Sequence, residues 1–216
     1  MLNVMRSTAA LSFAFLGGFA IMVLEIAGAR FLARDFGNSF YVWVSQIGVI
    51  LAALAAGYYF GGALADRFQR ASLLAWLLVP TGVFIIAIPH LSGPLLDAIV
   101  LRHPADEAVP MLWQKLDPAL GSAVVFFLPC LVLAMVAPCM IRLASRRVAE
   151  VGRVSGRIYA AGTAGSIAGV FATGYLFIDH LGLAAIFRAT GALTIALGVV
   201  SLWMDRWLEP VGTGSN

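Results

Sequence analysis

The sequence predicts an all-α integral membrane protein, a polytopic bundle of about six transmembrane helices. Of its 216 residues, 61% are hydrophobic and 12% are charged, whereas charged residues make up about 25% of an average soluble protein. The mean hydropathy is +0.93. Six apolar stretches reach the length of about 20 residues that a helix needs to cross a hydrocarbon core of about 30 Å. We therefore treat residues 1–216 as a single transmembrane domain.

The six predicted spans follow one another along the whole chain. They cover residues 9–33, 39–65, 72–93, 119–141, 157–178 and 182–204. The first stretch is longer than the apolar region of a signal peptide and contains Glu25. We therefore interpret it as a retained transmembrane helix.

Basic residues are distributed unequally between the two sides of the predicted bundle. If both termini share one side, that side carries nine arginines: Arg6, Arg67, Arg70, Arg142, Arg146, Arg147, Arg153, Arg157 and Arg206. The other side carries three basic residues, Arg34, Arg102 and Lys115. The excess of positive charge in cytoplasmic loops predicts cytoplasmic termini. We expect an integral membrane location, in a bacterial inner membrane.

The longest predicted connection, residues 94–118, lies on the outer side. Pro104, Pro110 and Pro118 are expected to break helical structure in it. Trp113 is expected at the level of the lipid headgroups, where tryptophan is enriched. We expect either a partly ordered outer loop or a short interfacial helix formed by Leu95, Leu96, Ile99 and Val100.

Small residues recur at every fourth position on the second and fifth spans. Gly57 and Gly61 lie on one such face, and Gly165 and Gly169 on the other. Small side chains let helix backbones approach closely in lipid. These faces are expected to pack inside the bundle, or else to join the chain to another subunit or to a second copy.

Three prolines lie inside predicted spans, Pro80 in the third and Pro129 and Pro138 in the fourth. Each removes one backbone hydrogen bond, so we expect these two helices to be kinked.

Four polar residues lie within apolar stretches. From the predicted span ends and a rise of 1.5 Å per residue, Glu25, Gln46 and Arg188 share a layer roughly 9–12 Å below the outer end. Arg30 lies nearer the surface. Charges at such depth need a partner or a wet cavity. We expect Glu25 to pair with Arg188, with Gln46 completing the layer, or Glu25 to bind an amine or another cation.

The chain offers few residues for catalysis or metal binding. It has no paired-carboxylate or Ser/His constellation and no Cys/His cluster with metal spacing. Cys130 and Cys139 lie about 13.5 Å apart along one helix, too far to bridge. No basic run with aromatic residues favours nucleic-acid binding. We therefore predict no enzyme, no cofactor and no metal.

The stretch "GALADRFQR" at residues 62–70 resembles a signature of the major facilitator superfamily. Gly62, Asp66, Arg67 and Arg70 match it, whereas Gln69 replaces a glycine. In that superfamily the carboxylate and arginines contact neighbouring helix ends and help to gate the inner face. The resemblance implies that Asp66 bonds a helix N-terminus and that Arg67 holds a helix C-terminus.

A wider resemblance covers nearly the whole chain. The stretch "LEIAGARFLARDFGNSFYVWVSQIGVILAALAAGYYFGGALADR" and the later "GRIYAAGTAGSIAGVFATGYLFIDHLG" are similar to the membrane domain of spermidine-synthase-like proteins, the fused major facilitator/spermidine synthase type. The resemblance implies half of a major facilitator fold. In many relatives an aminopropyltransferase domain follows, but no residues of such a domain are found here. We therefore do not expect aminopropyltransferase activity from this chain.

These observations lead to two expected functions. The first is a non-catalytic membrane subunit that anchors or packs against a separately encoded membrane or soluble partner. The alternative is a half-transporter that forms a homo-oligomer and binds a polyamine or another small cation, because one facilitator half lacks the second half of a gate. Both place the chain in the lipid bilayer.

Overall fold

A computed structural model describes residues 2–104, 108–145 and 148–208. The described residues contain no strand. They form six long helices, α1 (Leu2–Phe36), α2 (Phe40–Phe68), α3 (Leu73–Val100), α4 (Met111–Ala144), α5 (Val151–His180) and α6 (Leu183–Leu208). Each of the six contains a stretch long and apolar enough to cross a membrane. The predicted all-α bundle is confirmed, and the chain is an integral membrane protein.

Because six helices follow one another up and down the bundle, the start of α1 and the end of α6 lie on one side of it. We call this side the terminal end and the opposite side the distal end. The connection between α2 and α3 and the connection between α4 and α5 also lie at the terminal end. Because α1 and α5 run in the same direction, as do α2 and α4, these two helix pairs are parallel, and α3 and α6 are antiparallel.

The predicted connection 94–118 is too long. Helix α3 continues to Val100 and α4 begins at Met111, so Pro94 and Pro118 both lie inside helices. Pro104 and Pro110 lie outside them. Leu96, 1% exposed, anchors the last turns of α3 in the core, and such burial outweighs the one hydrogen bond that a proline removes.

Three helix pairs make the main contacts, α1 with α5, α2 with α4 and α3 with α6. A side chain at Gly57 would overlap the Leu131 carbonyl of α4, and a Cβ at Gly61 would lie 2.7 Å from the Cα of Met135. These two glycines therefore face α4, and the four-residue spacing serves packing within the bundle.

The same arrangement holds between α5 and α1. A Cβ at Gly165 would overlap the Phe15 carbonyl oxygen, and one at Gly169 would lie 2.6 Å from the Phe19 carbonyl oxygen. Both predicted small-residue faces are thus occupied inside this chain. They are not the surfaces through which it would meet another subunit.

Helix α4 is irregular at two places. A π-helical turn covers Ala123–Phe127 just before Pro129, and the helix is interrupted at Met135 just before Pro138. A proline ring clashes with the carbonyl four residues before it, so both irregularities lie where the prolines disturb the hydrogen bonding. Pro80 lies inside α3 without a break in the helix.

Aromatic packing fixes how α1, α4 and α6 meet. The fully buried Phe187 ring of α6 lies edge-on to Phe31, 5.5 Å between centroids, and stacks on Phe126 at 6.0 Å. This contact sets Phe187 at the level of Phe31 and thereby fixes the depth of the neighbouring residues of α6.

Candidate functional site: a groove over α1 and α4

A groove opens along one face of the bundle. Helices α1 and α4 form its floor, and α2 and α5 stand on either side. At its terminal half lies a cavity of about 100 Å³, lined among others by Gly18, Ile21, Tyr58, Val136 and Tyr159. All four helices contribute to this lining, so the cavity belongs to the groove and not to a single helix interface.

Hydroxyl groups line this cavity. Tyr58 and Tyr159 are 41% and 51% exposed, and Thr163 and Ser166 lie beside them. The Ser166 hydroxyl donates to the carbonyl oxygen of Gly18 at 3.3 Å. The cavity is thus polar enough to hold water or a small polar group within the apolar bundle.

Glu25 lies beyond the residues that line this cavity, further toward the distal end of α1. It stands seven residues after Gly18 and therefore on the same face of α1, two helical turns further along. Its side chain is half-buried. Among the residues that the structure describes, no hydrogen bond or ion pair includes the Glu25 carboxylate.

The expected ion pair between Glu25 and Arg188 does not form. Arg188 is exposed, and its Nε donates to the Ala184 carbonyl oxygen at 3.2 Å. Because Phe187 packs on Phe31, Arg188 lies at the level of Arg30, roughly 7.5 Å further toward the distal end than Glu25 at 1.5 Å per residue. Arg30 is also exposed and has no ion pair in the described part of the chain.

Gln46 has a structural position instead. It is fully buried, accepts a hydrogen bond of 2.6 Å from the Ser122 hydroxyl and donates to the Leu24 carbonyl oxygen at 3.5 Å. Its amide lies against Gly28, where a side chain would overlap it. Gln46 therefore joins α1, α2 and α4, and does not complete a layer between Glu25 and Arg188.

At the terminal end, Asp66 contacts the end of α4. Its Oδ1 accepts a hydrogen bond of 2.8 Å from Arg142 Nε. The helix N-terminus expected for Asp66 is occupied by another carboxylate: Asp205 of α6 accepts from the backbone N–H groups of Ala71 at 2.5 Å and Ser72 at 3.1 Å. An anion at a helix N-terminus is stabilised by the unpaired N–H groups there.

The other residues of this motif make fewer contacts. The Arg67 guanidinium lies 5.6 Å from the centroid of the Phe68 ring. Within the described residues it makes no hydrogen bond or ion pair with a helix C-terminus. Arg70 is exposed, and no atom lies within 4 Å of a Cβ placed on Gly62. Gln69 takes the left-handed conformation, φ 50°, and its N–H closes the end of α2 on the Ala65 carbonyl oxygen.

The distal end contains a cluster that the sequence did not indicate. Asp117, 5% exposed, pairs with Arg102 through one oxygen and lies 2.8 Å from His103 Nε2 through the other. Arg102 lies 4.1 Å above the Trp113 ring. The cluster fastens the end of α3 to the start of α4. The sequence feature that could have indicated it is a carboxylate just before an apolar run and beside a proline, Asp117 before Pro118.

The two cysteines lie in α4 and are buried and unbridged. Cys139 Sγ lies 3.6 Å from the Gly61 carbonyl oxygen. In the ranges the structure describes, no group of three His, Cys, Asp or Glu side chains lies close enough together to hold a metal ion.

The fold and groove define a polytopic α-helical membrane protein. No family model, curated protein or solved structure matches this chain.

Proposed function

We propose that the chain is a non-catalytic integral membrane subunit, of the kind that the membrane domain of spermidine-synthase-like proteins represents, and that a partner covers its groove within the bilayer. The observation that supports this most is the uneven burial of the helices. In the 18-residue apolar stretch of each helix, only 22% of α2 and 17% of α5 are buried inside the chain, whereas 39–61% are buried in the other four helices. The two helices beside the groove are thus the ones that this chain covers least.

Glu25 favours the same proposal. A lone carboxylate at membrane depth is costly, and such residues usually face a partner or a water-filled cavity. Within the described residues Glu25 has neither an ion pair nor a hydrogen bond. A covering subunit supplies a donor or a cation to this carboxylate and removes the groove from lipid.

A second candidate is a half-transporter that dimerises over the groove and binds a polyamine or another small cation. Tyr58 and Tyr159 line the cavity, which lies on the terminal side of Glu25. Aromatic faces attract ammonium groups, and a carboxylate pairs with them. In this case the covering subunit is a second copy of the chain.

Copurification distinguishes the two candidates. After extraction in a mild detergent, the subunit proposal expects a different polypeptide in fixed ratio with the 22.9 kDa chain. The half-transporter proposal expects a particle of two copies. A particle that holds one copy and lipid alone contradicts both. The Glu25→Gln variant serves as a comparison, since loss of the carboxylate should weaken the association in either case.

We also propose that the terminal end faces the cytoplasm of a bacterium and that the membrane is the inner one. The nine arginines expected on this side support it. In a variant without Cys130 and Cys139, cysteines at Ser7 and Thr213 should resist an impermeant thiol reagent in intact cells, and a cysteine at Ala108 should react. Thr213 lies outside the described residues. Labelling of both Ser7 and Thr213 variants with protection of Ala108 would reverse the orientation.

A further inference from the structure

Helix α5 also contains an irregular turn, and no proline explains this one. A π-helical turn covers Thr173–Phe177, and its first residue is fully buried. The Thr173 hydroxyl has no hydrogen-bond partner. Turns of this kind are rare and occur frequently at functional sites.

Thr173 differs in this respect from the other buried threonines of the described chain. Thr81, Thr190 and Thr194 each donate to the carbonyl oxygen four residues earlier, at 2.7–2.8 Å. Such back-bonding is the ordinary way in which a helical threonine satisfies its hydroxyl. Burial of a hydroxyl without a partner lowers the stability of the fold by roughly the free energy of a lost hydrogen bond. We therefore expect a ligand to bind the Thr173 hydroxyl.

The helix register places Thr173 close to the level of Glu25. Gly165 abuts the Phe15 carbonyl and Gly169 abuts the Phe19 carbonyl, so parallel α1 and α5 advance together. Four residues later Thr173 lies at the level of Val23, and Glu25 is about 3 Å further along the helix axis at 1.5 Å per residue. Glu25 also lies on the face of Gly18, which abuts Gly162 and Ser166 of α5.

We infer that Glu25 and Thr173 form a binding site for a small dehydrated monovalent cation of the size of Na⁺, between α1 and α5. This inference rests on the second proposed function and names its ligand class. A carboxylate and a hydroxyl oxygen are hard ligands of the type that such ions take. Irregular helix segments that line a site supply oxygen ligands to Na⁺ in membrane proteins. Because Thr173 is fully buried, a ligand that reaches its hydroxyl must be a bare ion and not a polyamine chain.

The test is the melting temperature of the purified protein in NaCl against choline chloride, at fixed pH and ionic strength. An ion at 100 times its Kd that binds the folded state alone should raise the Tm by about 5 °C or more. The rise should be lost in Glu25→Gln and Thr173→Val. It should persist in Thr173→Ser, which keeps the hydroxyl, and in Thr194→Val, a matched loss of a buried threonine hydroxyl.

Three results would overturn the inference. The first is a wild-type Tm that does not respond to Na⁺. The second is a response that Thr173→Val leaves intact, which would exclude the π-helical turn from the site. The third is a Tm that depends on pH through Glu25 but not on Na⁺, which would make Glu25 a protonated group. This assay uses the purified chain alone, so its result does not depend on whether a partner or a dimer is found by copurification.

Discussion

Replacement of Gly165 by leucine should abolish stable folding of the bundle. A Cβ at this position would overlap the carbonyl oxygen of Phe15 in the backbone of α1, which cannot move aside as a flexible side chain can. The helices would have to separate along their main contact. Overpacking typically costs about 1–3 kcal/mol, and an overlap with backbone should exceed that range. We expect the variant to aggregate on extraction, as measured by size-exclusion chromatography in detergent.

A matched control lies on the same helix. Gly156 is exposed, and no atom lies within 4 Å of a Cβ placed on it. Gly156→Leu has the same change in size and in helix propensity, yet it should leave the elution position unchanged. Equal behaviour of the two variants would mean that α1 and α5 do not pack through Gly165.

Replacement of Asp117 by asparagine should produce the second largest effect. Its carboxylate is almost fully buried and holds both Arg102 and His103. Removal of one member of a buried pair typically costs about 3–5 kcal/mol. Because the Arg102 side chain is 34% exposed, water screens part of the interaction, and we expect a loss of roughly 1–3 kcal/mol. A lowered Tm in detergent would measure it.

The double variant Asp117→Asn with Arg102→Gln separates the pair from its surroundings. If the two charges are coupled, the double variant should be more stable than the sum of the two single losses predicts. Asp97→Asn, which removes an exposed carboxylate of α3, should leave the Tm nearly unchanged. Additive losses for Asp117 and Arg102 would contradict the ion pair.

The helices could be predicted because length and hydropathy are local properties. All six spans exist, since about 20 apolar residues can bury their backbone polar groups in lipid only as a helix. The spacing of Gly57, Gly61, Gly165 and Gly169 is also a local property, and it indicated that two helix backbones approach closely at these faces. It did not indicate which helix each glycine meets.

The candidate site could be predicted only in part, because the rotation and depth of each helix depend on tertiary packing. Glu25 was recognised from its burial in an apolar run, but Phe187 on Phe31 sets Arg188 at another level. The Asp117 cluster depends on α3 continuing through Pro94. Thr173 continues the four-residue spacing of Gly165 and Gly169, but no proline near it indicates the π-helical turn, and the spacing does not show that its hydroxyl lacks a partner.

We propose that a protein partner, and not lipid, covers the groove between α2 and α5. Cysteine crosslinking in native membranes tests it most directly, in a variant in which alanine replaces Cys130 and Cys139. Thr163→Cys places a thiol in the groove, and Val83→Cys places one on the exposed side of α3, where 55% of the valine is exposed. With a short membrane-permeant crosslinker that joins a thiol to nearby C–H bonds, we expect a larger product from Thr163→Cys and none from Val83→Cys. A crosslink from neither variant, with Thr163→Cys joined only to lipid, would contradict it.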